Sequence, residues 1–271
     1  MKTVLITGVS SGIGLGITKK LLDNGYQVIG SVRSLEKANE LEYLFGDNFK
    51  PLIFDICKQE EVQLASKKLE ELLNGNNLDV LINNAGMAEI GPLLHVSMDD
   101  FRKQLDVLVV GQLNVIQHFY TYLISSDKSK DNGRIINISS ISGAGSNPFF
   151  GCYASGKHAL EGLSKTLRIE LRVHGIKVIV VAPGNILTSL WEKQPPELAD
   201  KYKETIYFQS VRKKLENINT NKISSAMSVN DFVDVFHNVL EEKEPANRYT
   251  IIKAKKKYIP FSKEKVRLIP K

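Results

Sequence analysis

Seven short runs of β-branched and aliphatic residues recur along the chain: KTVLIT (2–7), QVIGSV (27–32), KPLIF (50–54), LDVLIN (78–83), RIINIS (134–139), KVIVVA (177–182) and RYTII (248–252). Between them lie stretches with apolar residues at three- and four-residue intervals, among them GIGLGITKKLLDNG, EEVQLASKKLEELL, the run from Ser97 to Ile124 and the run from Cys152 to Gly175. Period-two or continuous apolar runs make strands, and a 3.6-residue period makes amphipathic helices. Strands that alternate with helices are joined by right-handed crossovers, which yield a parallel sheet with helices on both faces. The strand runs lack polar alternation, as a sheet covered on both sides requires. The expected fold class is therefore α/β, a doubly wound Rossmann-type fold with one seven-stranded parallel sheet. Ligands of such sheets bind beyond the carboxyl ends of the strands.

No linker, repeat or low-complexity segment divides residues 1–271, so a single domain is expected. With 42% hydrophobic and 24% charged residues, the composition excludes a disordered chain. No apolar run of about 18 residues offers a transmembrane segment, and MKTVLITG passes straight into a strand without a leader, so a cytoplasmic location is expected. Cys57 and Cys152 give neither a disulfide framework nor a metal-ligand spacing, and they read as small buried or half-buried residues. Nor do His95, His118, His158 and His174 form a metal or base cluster, so no metal is expected. The net charge of +6 is concentrated in the tail at 253–271, where eight Lys or Arg face the single Glu264. That tail reads as a solvated end beyond the last structural element, and no nucleic-acid partner is expected from it.

One connection is too long for a simple turn. Residues 185–228 intervene between two sheet elements, and long connections inside compact domains often serve as lids. Leu187, Leu190, Trp191, Tyr207 and Phe208 lie in this segment and suggest an apolar substrate. Beyond it, Ser228 and Asp231 have the spacing of a helix N-cap box.

Directly after the first strand comes TGVSSGIG. Gly8, Gly12 and Gly14 allow a tight turn, a close backbone approach to an anion and close helix-on-strand packing, with Ser10, Ser11 and Ile13 on the same turn. The next helix then aims its N-terminal N–H groups at a phosphate. A merely tight structural turn is the alternative, but the strand–turn–helix context is the one a dinucleotide site requires. An NAD site usually carries an acid about 20 residues further on, which holds the ribose hydroxyls. Here Val32 is followed by Arg33, whose guanidinium can pair with a 2′-phosphate, so NADP(H) is favoured over a bare surface arginine.

Together these segments resemble the short-chain dehydrogenase/reductase family from Lys2 to about Ile252. The matching pieces are TGVSSGIG (7–14), Asp55, NNAG (83–86), Ser140 in NISS, YASGK (153–157) and PGNILT (183–188), in the family's order. A weaker similarity, in VIGSVRS and GPLLHVSMDDF, is to NADP-using members that handle steroids and retinoids. The resemblance implies that Asp55 and Ile56 meet the adenine, that Asn83 and Ala85 line the adenosine-ribose side with Gly86 also among the cofactor-binding residues, and that NNAG as a whole braces the central sheet. It places Pro183, Gly184, Ile186 and Thr188 along the nicotinamide and its phosphate, although a Pro-Gly turn and a strand-capping Asn pair have plain structural readings too. It also implies a homodimer or homotetramer formed through the helices at 98–124 and 152–173.

Tyr153 and Lys157 stand four apart, one turn above each other on a helix. Interconverting a carbonyl and an alcohol needs one acid–base group beside the oxygen. A free tyrosine, with a pKa of about 10, is a poor base, and a neighbouring ammonium is expected to lower it. The resemblance adds that Lys157 holds the nicotinamide-ribose hydroxyls, that Tyr153 borders the cofactor and that Ser140 hydrogen-bonds the substrate oxygen. It breaks at Leu108, three residues before Gly111, where family members commonly carry an Asn that supports a water-linked proton path. Asn114 lies on the wrong side of the helix to replace it. The leading expectation is an NADP(H)-dependent alcohol/carbonyl oxidoreductase, and Leu108 keeps a weakly active NADP(H)-binding scaffold or sensor as the alternative.

Overall fold

A computed structural model describes residues 1–125, 127, 132–188, 190, 194–219, 226–253 and 264–269. All seven expected strands are present: β1 (Thr3–Ile6), β2 (Gln27–Val32), β3 (Phe49–Ile53), β4 (Val80–Asn83), β5 (Arg134–Ile138), β6 (Lys177–Pro183) and β7 (Arg248–Lys253). They are parallel, and the sheet order is β3-β2-β1-β4-β5-β6-β7. β1 pairs with β2 on one side and β4 on the other, so chain direction across the sheet reverses there and opens a crevice at the carboxyl ends.

One expectation is corrected at the far edge. An eighth strand, β8 (Glu264–Ile269), pairs in parallel with β7, so part of the basic tail belongs to the sheet. Charged residues are tolerated on an edge strand, and this pairing is invisible to a reading based on apolar runs. Residues 254–263, 270 and 271 of that tail lie outside the described residues.

Helices α1 (Gly12–Asp23), α2 (Leu35–Phe45), α3 (Gln59–Leu73), α4 (Met98–Leu105), α5 (Gly111–Phe119), α6 (Gly151–Glu170), α7 (Phe208–Asn219) and α8 (Val229–Glu241) complete the described framework. Successive β1 side chains point to opposite faces. Val4 and Ile6 pack with Ile17, Leu21, Phe232 and Phe236 of α1 and α8. Leu5 packs on the other side with Val62, Leu69, Val115 and Phe119 of α3 and α5. Short polar residues start several helices: Ser34 accepts from Lys37 N at 3.3 Å and Ser97 from Asp100 N at 3.0 Å. At α8 the expected box is complete, because Ser228 Oγ accepts from Asp231 N while Asp231 Oδ2 accepts from Ser228 N.

The helical run after β4 is not uniform. Between α4 and α5, residues Asp106–Val110 form a π-helical turn, and Gln112 Nε2 donates to the Val107 carbonyl at 3.1 Å. Such turns insert an extra residue into a helix and commonly stand beside functional sites.

Among its described residues the long connection includes a 3₁₀ segment Pro196–Tyr202 and α7. Val211, Leu215 and Ile218 of α7 bury themselves against Ala199, Tyr202, Ile90, Val96 and Cys152. Each such side chain contributes roughly 1.5–3 kcal/mol on burial, enough to seat the segment on the body. Ile186 and Met227 form a parallel bridge across its base. Trp191 lies outside the described residues.

Candidate functional site

The turn after β1 closes on itself. Gly8 and Gly12 have φ of 72° and 57°, a region that strongly favours glycine. A Cβ at Gly14 would stand 2.2 Å from the Gly8 carbonyl oxygen and 2.5 Å from Asn84 Nδ2. Asn84 Nδ2 donates to the carbonyls of Thr7 and Gly8, and Thr7 Oγ1 accepts from the N–H groups of Asn84 and Ala85. NNAG therefore braces the glycine turn. The N-cap Ser11 makes no side-chain cap bond, and no carboxylate occupies the first turn of α1. The donors at that helix start fit a bound phosphate. Thr188 lies over the turn, since a Cβ at Gly12 would come 3.4 Å from its Cβ.

Arg33 is exposed at the end of β2, in a cleft it shares with Ser10, Ser34, Glu36, Lys37 and Glu40. Ile56 is buried, and Asp55 follows β3 with its Oδ1 accepting from Cys57 N at 2.9 Å. Asn114 donates to the Ile56 carbonyl at 2.9 Å, so it shapes this wall and not the reaction centre. Asn83 turns its side chain into the protein, donating to Asn137 Oδ1 at 2.9 Å, and Ala85 and Gly86 are the less buried part of NNAG. Pro183 ends β6, and the Gly184 N–H donates to the Ile251 carbonyl. Ile186 is buried in the core beneath the segment it helps to bridge.

At the carboxyl end of β5, Ser140, Tyr153 and Lys157 meet. All three are buried. Burial pushes the Tyr153 phenol up to about 12, while its hydrogen bond with the Ser140 side chain acts in the opposite direction. Burial likewise pushes Lys157 down to about 8, with the Glu161 charge opposing it. Lys157 Nζ donates to the Ile138 carbonyl at 2.7 Å and stands 5.8 Å from the centre of the Tyr153 ring. The phenol is therefore raised and not lowered as expected: loss of hydration disfavours its charged form, and the group that acts against it is the Ser140 hydroxyl.

Leu108, Ala88, Phe150 and Leu190 pack around Tyr153. Phe149 has φ of 72°, a left-handed conformation unusual for a bulky residue, and its carbonyl accepts from Gly91 N at 2.9 Å. That turn delivers Phe150 to Tyr153. The chain thus carries three contributors that motif reading does not assign: Gln112, Phe150 and Glu161. Gln112 is legible only once the π turn is known, and Phe150 depends on the strained backbone before it. The thiol of Cys152, buried next to Tyr153, is pushed up to about 11, first by burial and then by Glu89 and Asp100. Cys57 is exposed, contrary to the expectation of burial. His158 is exposed, with Nδ1 2.8 Å from the Ala154 carbonyl oxygen. Among the described residues no cluster of His, Cys, Asp or Glu is placed to hold a metal, and no helix is long and apolar enough to cross a membrane.

A glycine turn after the central strand β1 and a buried Ser, Tyr and Lys set after β5, in one parallel sheet, are the arrangement of a dinucleotide-linked oxidoreductase. The short chain dehydrogenase family profile matches residues 2–199. Over 207 residues the chain is 37% identical to the NADPH-dependent 3-dehydrocapnine reductase of Ornithobacterium rhinotracheale, covering 76% of this chain and 73% of that one. It is 29% identical to retinol dehydrogenase 16 of Mus musculus over 276 residues, 96% and 84% of the two chains. Among solved structures, ElxO with NADP bound matches with a TM-score of 0.70 at 28% identity, over 89% of this chain and 92% of that one. The chain belongs to the short chain dehydrogenase family.

Proposed function

We propose that this protein is an NADP(H)-dependent oxidoreductase that interconverts an alcohol and a ketone or aldehyde, with Tyr153 as the general acid and base. The observation that carries the reading is the burial of Ser140, Tyr153 and Lys157 in one contact set at the carboxyl end of β5, in the same parallel sheet whose β1 is followed by the glycine turn. The NADPH-dependent relative and the NADP-bound neighbour support the cofactor. So does Arg33, which has Lys37, Ser10 and Ser34 as neighbours in its cleft and can meet a 2′-phosphate there. The backbone donors of residues 10–14 receive the pyrophosphate, and Ala85, Gly86, Gly184 and Thr188 flank the cleft.

Bound there, the cofactor supplies or accepts a hydride. Tyr153 gives its phenolic proton to the carbonyl oxygen as negative charge develops on it, and takes a proton from the hydroxyl in the reverse direction. Ser140, already hydrogen-bonded to the phenol, is placed to donate to the same oxygen. Lys157 in its ammonium form stabilises the phenolate that remains. Phe150, Leu190, Ala88 and Leu108 exclude water from the phenol and favour an apolar substrate beside it.

Assembly as a homodimer or homotetramer belongs to the same reading. Its support is apolar surface on the helices already implicated, with Val110, Ile169 and Val173 at 58%, 69% and 83% exposure. A panel of ketones, aldehydes and alcohols, followed by NADPH absorbance with wild-type protein and Tyr153→Phe, tests the reading. Wild-type turnover of at least one carbonyl compound that vanishes in the variant is expected, and equal rates would refute it.

A further inference from the structure

We propose that Glu161 is a positioning residue of the reaction: clamped by Arg248 and Ser139, it supplies the buried counter-charge for Lys157 and fixes the strand end that carries Ser140. The proposal rests on the reading of Tyr153 and Lys157 given above.

Tyr153, Lys157 and Glu161 are spaced by four along α6 and therefore share one face of it. All three are buried. Opposite them stand three consecutive residues at the end of β5. Tyr153 hydrogen-bonds Ser140, Lys157 donates to the Ile138 carbonyl at 2.7 Å, and Ser139 Oγ donates to Glu161 Oε1 at 2.9 Å. Each member of the helix ladder thus holds one residue of the strand end. Arg248 of β7 fixes the last rung, with Nε 3.0 Å from both Glu161 oxygens and a guanidinium nitrogen donating to Thr250 Oγ1 at 2.6 Å.

A buried ion pair is an expensive way to fill space, since matched apolar side chains often do as well or better. What it adds is a fixed field. The charged and titratable groups facing Lys157 are Tyr153 and Glu161 on its own helix, with Arg248 behind Glu161 on β7; Arg168, further along α6, also feels Glu161. The π-helical turn packed on this helix contributes the uncharged Leu108, and the β5 end contributes a carbonyl and two hydroxyls. The Glu161 charge opposes the effect of burial on the lysine.

The test is the pH profile of kcat/KM for NADPH-dependent carbonyl reduction by the full chain. Removing a negative charge lowers the pH at which the Tyr153 and Lys157 pair first loses a proton. Glu161→Gln should therefore move the alkaline inflection down by about one pH unit. The double variant Glu161→Gln/Arg248→Gln, which does not leave Arg248 facing a missing carboxylate, should have its inflection between those of Glu161→Gln and the wild type. A packing role alone would lower rates without ordering the inflections in this way. An unshifted Glu161→Gln profile, or a double variant no closer to the wild type, overturns the proposal. Should Glu161→Gln fail to fold, the double variant decides: an inflection below the wild type supports the role, and an equal one overturns it. Reduction that survives Tyr153→Phe would instead overturn the underlying reading; reduction lost there with an unshifted Glu161→Gln profile removes the role of Glu161 alone.

Discussion

Leu108 packs onto the bare backbone of Gly156: a Cβ at that glycine would stand 2.9 Å from Leu108 Cδ1 and 3.0 Å from its Cβ. The leucine is fully buried and also touches the cluster around Tyr153. An apolar side chain therefore fills the position at which the family resemblance implies an Asn. Leu108→Asn is expected to raise turnover at saturating substrate and to lower stability by about 1–3 kcal/mol, because an amide enters an apolar site. Steady-state kcat and urea titration check the two effects together. Stability lost without any gain in kcat would mean that the proton reaches Lys157 by another route.

Tyr153→Phe removes one oxygen from a buried site and leaves the ring packing intact. Carbonyl reduction should fall by at least about 10²-fold, the lower range for a positioned acid, while NADPH binding changes little. Fluorescence titration and an absorbance assay on the same sample separate the two effects.

Arg33→Ala should weaken NADPH binding by about 10–100-fold, the worth of a charge-assisted hydrogen bond, and leave NADH binding nearly unchanged. Fluorescence titration with each nucleotide measures the ratio. Equal affinities in the unmutated protein would remove Arg33 from cofactor choice.

Lys157 makes stability depend on pH. Its folded value of about 8 lies below the ordinary 10.5, so between these values the unfolded chain binds the extra proton and stability rises with pH. Tyr153 acts in the opposite sense above about 10, where the unfolded phenol ionises before the folded one at about 12. Urea denaturation from pH 7 to 10 should therefore show wild type gaining on Lys157→Met through the upper part of that range. A difference that stays constant with pH would contradict the buried state of the lysine.

Much of the fold was legible because the signals are local. Apolar runs mark the strands, spacing marks the helices, and Gly8, Gly12 and Gly14 need only their neighbours to be understood. The box at Ser228 and Asp231 belongs to the same category. What stayed hidden depends on distant partners. β8 is a charged segment that becomes a strand only because β7 offers an edge. The π turn at 106–110 has no compositional mark, and Gln112 bonds it to NNAG through the carbonyls of Val107 and Ala85. The YASGK spacing placed Tyr153 above Lys157, yet it could not show that burial raises the phenol and lowers the ammonium. Glu161 looks like an ordinary helix surface residue until Arg248, 87 positions later, arrives beside it.

The strand order has a consequence for synthesis. From β5 to β8, each newly emerging strand joins the outer side of the one made before it, so a chain leaving the ribosome can extend its sheet without reopening earlier pairs. Arg248 comes off the ribosome about 90 residues after Lys157, and only then is the carboxylate of Glu161 neutralised. Nascent chains stalled short of β7 should carry a seated glycine turn and an α6 whose Glu161 still lacks Arg248.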